Sequence, residues 1–318
     1  MRLCLAADVG GTKLAAGVVT AEGAILARRE APTPRLGDAQ SLYRAFVGLL
    51  DTVLAEAQVP RSRLSGVGVG CGGPMQFPAG IVSPLNIPAW REFPLRGQLA
   101  AEFGLPTIVD NDAKAFALGE SWRGRGVNAT CLLAMVVSTG VGAGIVVNGR
   151  LLDGAQGNAG HVGHVIVFPS GPGCACGARG CLEAVASGPS LARAAEAAIQ
   201  AGKATSLERT ATARDIAAAA RAGDPLARLL FRRAGVAIGR GIASAAALLD
   251  LDRVVIGGGV AQSADLLMPA LTAELSGRAR LDFSRGLLVA VTASTVESAL
   301  LGAARLVLDS PGAPSAAR

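Results

Sequence analysis

A compact group of nitrogen and sulfur side chains lies between residues 161 and 181. His164 precedes three cysteines, Cys174, Cys176 and Cys181, and the only other histidine of the chain is His161. Imidazole nitrogen and thiolate sulfur are the usual ligands of structural zinc, which four of them hold in a closed tetrahedron. We therefore predict a structural zinc site formed by His164 and the three cysteines. The alternative is a glycine-rich loop that carries unligated thiols.

The segment Asp8-Val9-Gly10-Gly11-Thr12-Lys13 is a glycine-rich turn between two apolar runs. Glycine lets the backbone turn tightly and brings N–H groups close to phosphate oxygens. Thr12 can add a hydroxyl donor and Lys13 a positive charge, while Asp8 can hold Mg2+ through water. The glycine spacing is not that of a Walker loop, which would also open a helix. The segment predicts a phosphate site that includes Gly10 and Gly11, unless it is an ordinary glycine hairpin.

A second glycine-rich loop, Ser138–Gly144, matches the first one in the later half of the chain. Its Thr139 and the neighbouring backbone amides, including that of Gly140, are suited to bind another part of a polyphosphate. Two such loops in facing domains would form a phosphate clamp. A third glycine turn follows an apolar strand-like run and would permit the close approach of the adenosine part of a nucleotide: Gly257, Gly258 and Gly259.

A carboxylate suited to proton transfer follows the apolar run Leu105–Val109. Asp112 lies at the end of this predicted strand, where a helix begins, and Asn111 stands beside it. A carboxylate in such a position can accept the proton of a hydroxyl group, and the amide of Asn111 can bind sugar hydroxyls. The alternative is helix capping, since Asp and Asn are favoured at helix N-termini.

The elements that must position these groups form a repeated pattern. Leu3–Ala7 and Leu14–Val19 are predicted strands on either side of the first glycine loop, and a helix is predicted from about Ser41 to Gln58. About 130 residues later, the strands Leu132–Val137 and Ala143–Val147 flank the second loop. Two copies of one strand–turn–strand unit predict two related α/β domains that face each other across a cleft. The alternative is a coincidence between two glycine-rich hairpins.

Composition excludes several other classes of protein. The 318 residues suffice for two domains, and 51% hydrophobic with 17% charged residues is typical of a globular chain. The net charge of +6 is scattered and aromatic residues make up 3%, which argues against a nucleic-acid partner. No apolar run is long enough for a transmembrane helix or a signal peptide, so we expect a cytoplasmic protein without a membrane partner. We expect the other cysteines to be buried thiols: Cys4, Cys71 and Cys131.

Together these motifs resemble the ROK (repressor, open reading frame, kinase) sugar kinases of the actin/hexokinase-like ATPase superfamily. The resemblance extends from about Leu3 to Leu306 and includes a sugar loop, Pro84-Leu85-Asn86-Ile87-Pro88-Ala89-Trp90. It implies an α/β fold with two related α/β domains around a cleft. The predicted N-terminal domain, 1–112, is the smaller one and is completed by a C-terminal helix at about 297–308. The larger domain, 113–296, carries the zinc motif, and 309–318 form a loose tail.

The resemblance also implies roles for the matching residues. Asp112 would be the general base in phosphoryl transfer from ATP, with Mg2+, to the 6-hydroxyl of a hexose or N-acetylhexosamine. Polyphosphate is an alternative donor. Family members are commonly dimers or tetramers, so a homodimer or homotetramer is expected. The nucleotide would lie between Gly10–Lys13, Thr139–Gly140 and Gly257–Gly259. The implied sugar contacts are Asn86, Asn111, His164, which is also a zinc ligand, and Glu183.

One residue departs from the common family pattern. Most glucose and N-acetylglucosamine kinases of the family carry Glu three residues before the zinc histidine, and this chain has His161 there. The resulting His-x-Gly-His pattern is similar to that of bacterial N-acetylmannosamine kinases. Ionised Glu only accepts hydrogen bonds, whereas neutral imidazole has one donor and one acceptor. We therefore expect His161 to change which group is accepted near carbon 2 of the sugar. An unusual aminosugar or a cyclitol is the alternative substrate.

Three other functions compete with a kinase. Some family members are sugar-responsive transcriptional regulators with an N-terminal helix-turn-helix domain, but we expect none here because the first predicted strand begins at Leu3. A sugar-binding protein that has lost catalysis disagrees with the intact Asp112, Lys13 and phosphate loops. A nucleic-acid-binding zinc module disagrees with a single zinc motif inside a large α/β chain that has few aromatic residues.

Overall fold

The structure, a computed structural model, describes residues 2–310, which form both strands and helices. The described strands are β1 (Leu3–Val9), β2 (Lys13–Thr20), β3 (Ile25–Pro32), β4 (Leu64–Cys71), β5 (Met75–Gln76), β6 (Ile81–Val82), β7 (Thr107–Asn111), β8 (Cys131–Val137), β9 (Val141–Val147), β10 (Arg150–Leu151), β11 (Arg253–Gly257) and β12 (Leu288–Val291). The described helices are α1 (Ala39–Glu56), α2 (Leu95–Phe103), α3 (Asp112–Arg123), α4 (Glu183–Ala186), α5 (Gly188–Gln200), α6 (Ala213–Arg221), α7 (Pro225–Leu249), α8 (Ala264–Arg278) and α9 (Thr295–Leu308).

The two larger sheets share one strand order. The first is arranged β3-β2-β1-β4-β7, and the second is arranged β10-β9-β8-β11-β12. In the first sheet, β1 lies between β2, which follows it after the glycine loop, and the parallel strand β4. In the second sheet, β8 lies in the same way between β9 and the parallel strand β11. The predicted duplication of an α/β unit is therefore confirmed, and the alternative of two coincidental hairpins is wrong.

Helix α1 covers one face of the first sheet because its apolar residues recur at helical spacing. Leu42, Phe46, Leu50 and Val53 are buried and join a core that includes alternate residues of β1. Asp38 caps the helix by accepting a hydrogen bond from the Ser41 N–H at 2.7 Å. The helix begins and ends two residues before the predicted bounds, a normal uncertainty at helix ends.

Helices α3 and α9 cover the other face, and small residues let their backbones meet. A Cβ atom added to Gly302 would lie 1.6 Å from the Ala115 carbonyl oxygen, and one added to Gly119 would lie 1.8 Å from the Ser298 carbonyl oxygen. Beside this contact, Ser298 Oγ donates a 2.6 Å hydrogen bond to the buried carboxylate of Glu120. The C-terminal helix is thus packed closely against the helix that begins at Asp112.

Contacts divide the chain into two compact units. Over the described residues, the first unit comprises 2–128, Gly144–Ala159 and 294–310, and the second comprises Ala129–Ala143 and Gly160–Ala293. The sequence placed the boundary after residue 112, whereas in the structure all of α3 lies in the first unit because it packs against α9. Of the predicted tail 309–318, residues 311–318 lie outside the described residues. Along 2–310, no helix has both the length and the hydropathy needed to span a bilayer.

The contact between α3 and α9 predicts opposite effects for two Gly→Ala substitutions. Gly302→Ala should lower the free energy of unfolding by about 1–3 kcal/mol or more, because the new methyl group overlaps a backbone carbonyl. Gly48→Ala, in the middle of α1 with nothing within 4 Å of the new Cβ, should raise it by about 0.5–1 kcal/mol. Urea denaturation of both variants measures the difference, and equal effects would contradict the packing described.

Candidate functional site

The first site group lies at the carboxyl ends of three parallel strands. β4 is paired in parallel with both β1 and β7, and the register aligns Val9 of β1, Cys71 of β4 and Asn111 of β7 in one row. Asp8 precedes this row and Asp112 follows it. Ligands of open α/β sheets bind outside the carboxyl ends of the strands. The fold of the first unit therefore brings the two aspartates to the edge where such a ligand binds.

The first glycine loop is a tight hairpin held from the neighbouring strand. The Gly10 N–H donates to the Lys13 carbonyl oxygen at 3.0 Å. Thr33 Oγ1 donates to the Gly10 carbonyl oxygen at 2.6 Å, and the Thr33 N–H donates to the Thr12 carbonyl oxygen at 3.1 Å. Sequence reasoning missed Thr33, since a threonine after a strand carries no signal of a contact 23 residues away. Lys13 Nζ lies 2.6 Å from Glu30 Oε2, and both side chains are partly exposed.

The sugar loop predicted from the resemblance packs directly on this hairpin. A Cβ atom on Gly11 would lie 2.3 Å from Asn86 Cβ, so only glycine allows this approach. The loop is fixed behind Asn86 by Trp90, which is fully buried and donates through Nε1 to the Ala39 carbonyl oxygen at 3.1 Å. Arg91 donates to the carbonyl oxygens of Pro84 and Ile87, in each case at 2.9 Å. Asn86 itself stays exposed beside the glycine loop.

Asn111 and Asp112 form the N-terminus of α3. The Ala113 N–H donates to Asn111 Oδ1 at 3.0 Å and to Asp112 Oδ1 at 2.8 Å. Asn111 is the N-cap, so capping, which the sequence left as an alternative, is part of its role. The other carboxylate oxygen of Asp112, Oδ2, lies toward Gly72, whose added Cβ would be 3.8 Å from it. A glycine there leaves space beside the carboxylate.

The two aspartates influence each other electrostatically. Burial and, second to it, the negative charge of Asp112 raise the pKa of Asp8 to about 7, although the charge of Lys13 opposes the shift. Burial, then Asp112 and Asp8, also raises the pKa of the Cys71 thiol well above its ordinary value. A cation bound at Asp8 would favour its ionised form, so the pair is suited to hold a metal ion beside a proton acceptor.

A buried ammonium group lies behind this pair. Lys114 Nζ is 2.8 Å from Asp110 Oδ2 and 2.6 Å from Asp153 Oδ1. Burial raises the pKa of Asp110, and Lys114 opposes that shift. Sequence reasoning missed the contact with Asp153, because 39 positions separate that residue from Lys114 along the chain.

In the second unit, the loop Ser138–Gly142 is held by Glu183. Glu183 Oε2 accepts a hydrogen bond from the Val141 N–H at 2.8 Å, and a Cβ atom on Gly140 would lie 2.8 Å from the same oxygen. The carboxylate, at the first turn of α4, thus lies against the backbone of the second glycine loop. Thr139 at the tip of the loop is exposed.

The third glycine turn packs against the same loop. Gly258 has φ +96°, and a Cβ atom there would lie 2.4 Å from the Val137 carbonyl oxygen. Gly259 is next to it, where an added Cβ would lie 3.7 Å from Ser138 Oγ. The Gly188 N–H donates to the Ser138 carbonyl oxygen at 2.8 Å, which brings the N-terminus of α5 to the loop. The second unit therefore brings together the predicted nucleotide-binding residues Thr139, Gly140, Gly257, Gly258 and Gly259.

The predicted zinc ligands of the second unit converge. One ligand atom from each of His164, Cys174, Cys176 and Cys181 lies within 4.8 Å of all the others. Cys176 Sγ is 3.7 Å from Cys181 Sγ, and His164 Nδ1 is 3.7 Å from Cys174 Sγ. A tetrahedron with Zn–S bonds of about 2.3 Å has edges of about 3.8 Å, which these two donor–donor distances match.

Backbone contacts hold the cysteines in this arrangement. The Cys174 N–H donates to the Ala178 carbonyl oxygen at 2.8 Å, and the Gly177 N–H donates back to the Cys174 carbonyl oxygen at 3.0 Å. Gly180 has φ +73°, and a Cβ atom there would lie 1.6 Å from the Phe168 carbonyl oxygen. The His161 ring is close to the His164 ring, with centroids 6.3 Å apart and planes at 18°. His161 is therefore beside the metal-ligand group without belonging to it.

The burial of Asp8 predicts a specific pH dependence of stability. The pKa in the folded protein, about 7, exceeds the ordinary value of 3.8, so between these values the folded state binds more protons at Asp8 than the unfolded state. The free energy of unfolding relative to that of Asp8→Asn should therefore fall by roughly 3 to 4 kcal/mol as the pH rises from about 4 to 7. Denaturation of both proteins without nucleotide or Mg2+ measures it, and a pH-independent difference would contradict the prediction.

The chain is similar to known proteins along most of its length. The ROK family model matches residues 4–310. A glucokinase from Halalkalibacterium halodurans is 38% identical over 269 residues, which are 82% of this chain and 81% of that protein. An N-acetylmannosamine kinase from Shigella boydii is 39% identical over 256 residues, which are 80% of this chain and 82% of that protein.

Solved structures with the same fold include enzymes and a regulator. A ROK hexokinase from Thermus thermophilus has a TM-score of 0.80 at 35% identity, covering 95% of this chain and 97% of that one. A glucokinase from Streptomyces griseus, in complex with glucose and AMPPNP, has a TM-score of 0.80 at 31% identity, covering 96% and 98%. A ROK family transcriptional regulator, a homolog of the E. coli MLC protein, has a TM-score of 0.81 at 28% identity, covering 96% and 78%. The chain belongs to the ROK family and has its actin/hexokinase-like ATPase fold.

Proposed function

We propose that this protein is an ATP-dependent sugar kinase that phosphorylates the 6-hydroxyl of a hexose or N-acetylhexosamine. Relatives that are glucokinases and N-acetylmannosamine kinases support the class of sugar kinase. The observation that carries the proposal is the proximity of Asp8 and Asp112 at the carboxyl ends of β1 and β7, next to a glycine loop on which Asn86 packs.

In this proposal Asp112 is the general base. Phosphoryl transfer has a loose transition state, so the enzyme mainly positions the reactants and neutralises charge. The sugar hydroxyl must still lose its proton, and a carboxylate within hydrogen-bond reach can accept it. The residues proposed to bind the other hydroxyl groups, as the family resemblance implies, are Asn86, Asn111, His164 and Glu183. If His164 Nδ1 binds zinc, its Nε2 remains available for the sugar.

The nucleotide is assigned to the glycine loops. Gly10, Gly11, Thr12 and Lys13 would bind phosphate oxygens through N–H groups, a hydroxyl and a charge, and Asp8 would hold Mg2+ through water. Lys13 would exchange its ion pair with Glu30 for a phosphate, which a partly exposed pair permits at small cost. In the second unit, Thr139 and Gly140 would bind phosphate, and Gly257, Gly258 and Gly259 would approach the adenosine.

His161 is proposed to select the sugar. Its ring lies beside His164, and imidazole offers both a donor and an acceptor where most glucose-specific relatives offer a carboxylate. The His-x-Gly-His pattern is similar to that of bacterial N-acetylmannosamine kinases, so N-acetylmannosamine is the preferred substrate in this proposal and glucose a poorer one. An aminosugar or a cyclitol is the alternative within the same chemistry. Assembly as a homodimer or homotetramer, a cytoplasmic location, and the absence of nucleic-acid and membrane partners stay predictions.

Zinc is proposed as a structural ion held by His164, Cys174, Cys176 and Cys181. A closed set of four nitrogen and sulfur ligands leaves no position for a reactive water, so the ion would organise the loop and perform no chemistry. It would fix His164 for sugar binding and hold the chain that leads to Glu183.

A substrate panel tests the proposed function. Purified protein with ATP and Mg2+ should phosphorylate N-acetylmannosamine with a higher kcat/KM than glucose. The panel also includes mannose, N-acetylglucosamine, aminosugars and cyclitols as acceptors. Polyphosphate in place of ATP tests the donor. Sugar binding without phosphorylation of any acceptor would reject the kinase and favour a sugar-responsive regulator. A clear preference for glucose would reject the role of His161.

Substitution of the base tests the chemical step. Asp112→Asn keeps the size and the hydrogen bond from the Ala113 N–H, yet it removes the proton acceptor. We expect kcat to fall by roughly 10²–10⁴-fold, while the sugar affinity measured by calorimetry changes much less. Asp38→Asn, at the N-cap of α1, is the matched control and should keep full activity. Near-normal kcat with poor sugar affinity would make Asp112 a binding residue.

Loss of the metal tests the structural role of zinc. Elemental analysis should find about one zinc per chain, and Cys176→Ser or a strong chelator should remove it and lower the melting temperature by several degrees. Cys131→Ser, at a thiol of β8 outside the cluster, should retain the zinc. Substoichiometric zinc together with full activity and unchanged melting would overturn this assignment.

A further inference from the structure

Lys114 places a positive charge inside the first unit. Its side chain is 1% exposed, and Nζ lies between Asp110 Oδ2 at 2.8 Å and Asp153 Oδ1 at 2.6 Å. The Phe77 ring covers the ammonium, with Nζ 4.7 Å from the ring centroid. The three N–H donors of the lysine therefore face two carboxylates and an aromatic ring.

One of these carboxylates is joined to the turn that carries Asp112. Asp110 Oδ1 accepts a hydrogen bond from the Asn111 N–H at 2.7 Å, while its other oxygen pairs with Lys114. The ion pair thus fixes the Asp110 side chain, and Asp110 fixes the backbone immediately before the N-cap of α3. The orientation of Asp112 depends on the same turn, since its carboxylate accepts from the Ala113 N–H.

The other contacts of Lys114 come from distant parts of the chain. Asp153 begins a short loop that closes on itself through a 3.0 Å hydrogen bond from the Ala159 N–H to the Asp153 carbonyl oxygen. Gly157 of this loop packs on Phe77, and a Cβ atom there would lie 2.7 Å from Phe77 Cβ. One buried charge therefore joins the β7–α3 turn, the segment after β5 and the loop after β10.

Stability alone does not account for a lysine at this position. Lys114 is the third residue of α3, and a cation in the first turn of a helix opposes the helix dipole. Burying an ion pair also has a desolvation cost that its attraction rarely exceeds, so an apolar side chain of similar volume would often be as stable. An ion pair does, however, fix the geometry of the groups it joins. The cluster is therefore better suited to positioning than to stabilisation.

We propose that Lys114 is a positioning residue for the general base. Through Asp110 it holds the Asn111–Asp112 turn in the geometry needed for proton transfer, and through Asp153 and Phe77 it anchors that turn to two other segments of the first unit. This inference rests on the proposed function, because it assigns the positioning to the carboxylate proposed as the base.

Three variants and a matched control test the role of Lys114. Lys114→Met removes the charge and keeps most of the length, Asp110→Asn/Lys114→Met removes both charges, and Asp153→Asn removes only the partly exposed partner. Arg61→Met is the control, since it breaks an ion pair with Asp51 and Glu102 elsewhere in the same unit. We expect kcat of Lys114→Met and of the double variant to fall about 10²-fold, as for a small misplacement of a reacting group, with a much smaller change in sugar affinity. Asp153→Asn should show a smaller fall in kcat, and Arg61→Met should match the parent.

Two outcomes of the activity measurements overturn the inference. The first is a double variant that melts like the parent and also has the parent's kcat, because then the ion pair is dispensable for positioning. The second outcome applies if the two variants that lack Lys114 fail to fold. The inference is then overturned by a kcat of Asp153→Asn equal to that of the parent.

Hydrogen exchange provides a readout that needs no activity. Amides of residues 111–116 should exchange faster in Asp153→Asn than in the parent and in Arg61→Met. If the parent phosphorylates no sugar in the substrate panel, the proposed function is rejected. Hydrogen exchange still tests whether the Lys114 ion pairs hold the Asn111–Asp112 turn. Unchanged exchange at these amides in Asp153→Asn would overturn the inference on its own.

Discussion

The parallel alignment of β1, β4 and β7 is the constraint on which the first site group depends. Because their carboxyl ends meet at one edge, residues from distant parts of the chain, Asp8 and Asp112, become neighbours. Burial at this edge raises the pKa of Asp8, and the negative charge of the neighbouring Asp112 carboxylate adds to that shift. The sheet must be held rigidly to maintain this arrangement, which the close backbone contacts of α3 and α9 behind it provide.

Several hydrogen bonds and ion pairs in the first unit also fix its loops. Thr33 holds the glycine hairpin, Trp90 fixes the sugar loop, and Asp110 with Lys114 holds the turn before α3. Each is an interaction between a loop that would bind ligand and a regular element behind it. Such support keeps binding groups at defined positions before a ligand arrives, which reduces the ordering cost of binding.

The second unit uses a different device in the segment from Gly160 to Leu182, which has little regular structure. Backbone hydrogen bonds shape this segment, and one donor atom from each of its four nitrogen and sulfur side chains lies within 4.8 Å of the others. The chain then enters α4, where Glu183 accepts from the Val141 N–H at 2.8 Å. The metal-ligand group and the second glycine loop are thus connected through a short stretch of chain. Disorder in one of them would therefore increase disorder in the other.

The sequence by itself determined the elements and most of the candidate site. Apolar periodicity predicted β1, β2, α1 and the duplicated hairpin, because burial of one face leaves a regular pattern along the chain. Ligand chemistry and spacing predicted the group of His164 with three cysteines, since all four lie within 18 residues of each other and short-range geometry restricts their positions.

Only the tertiary structure decided which distant residues meet. The pairing of Lys114 with Asp153, the support of Gly10 by Thr33 and the contact of Glu183 with Val141 join residues separated by 39, 23 and 42 positions. No local pattern encodes such contacts, because they follow from strand order and helix packing. The placement of α3 with α9 in the first unit has the same origin, since a close glycine contact between two helices leaves no periodic signal in either one.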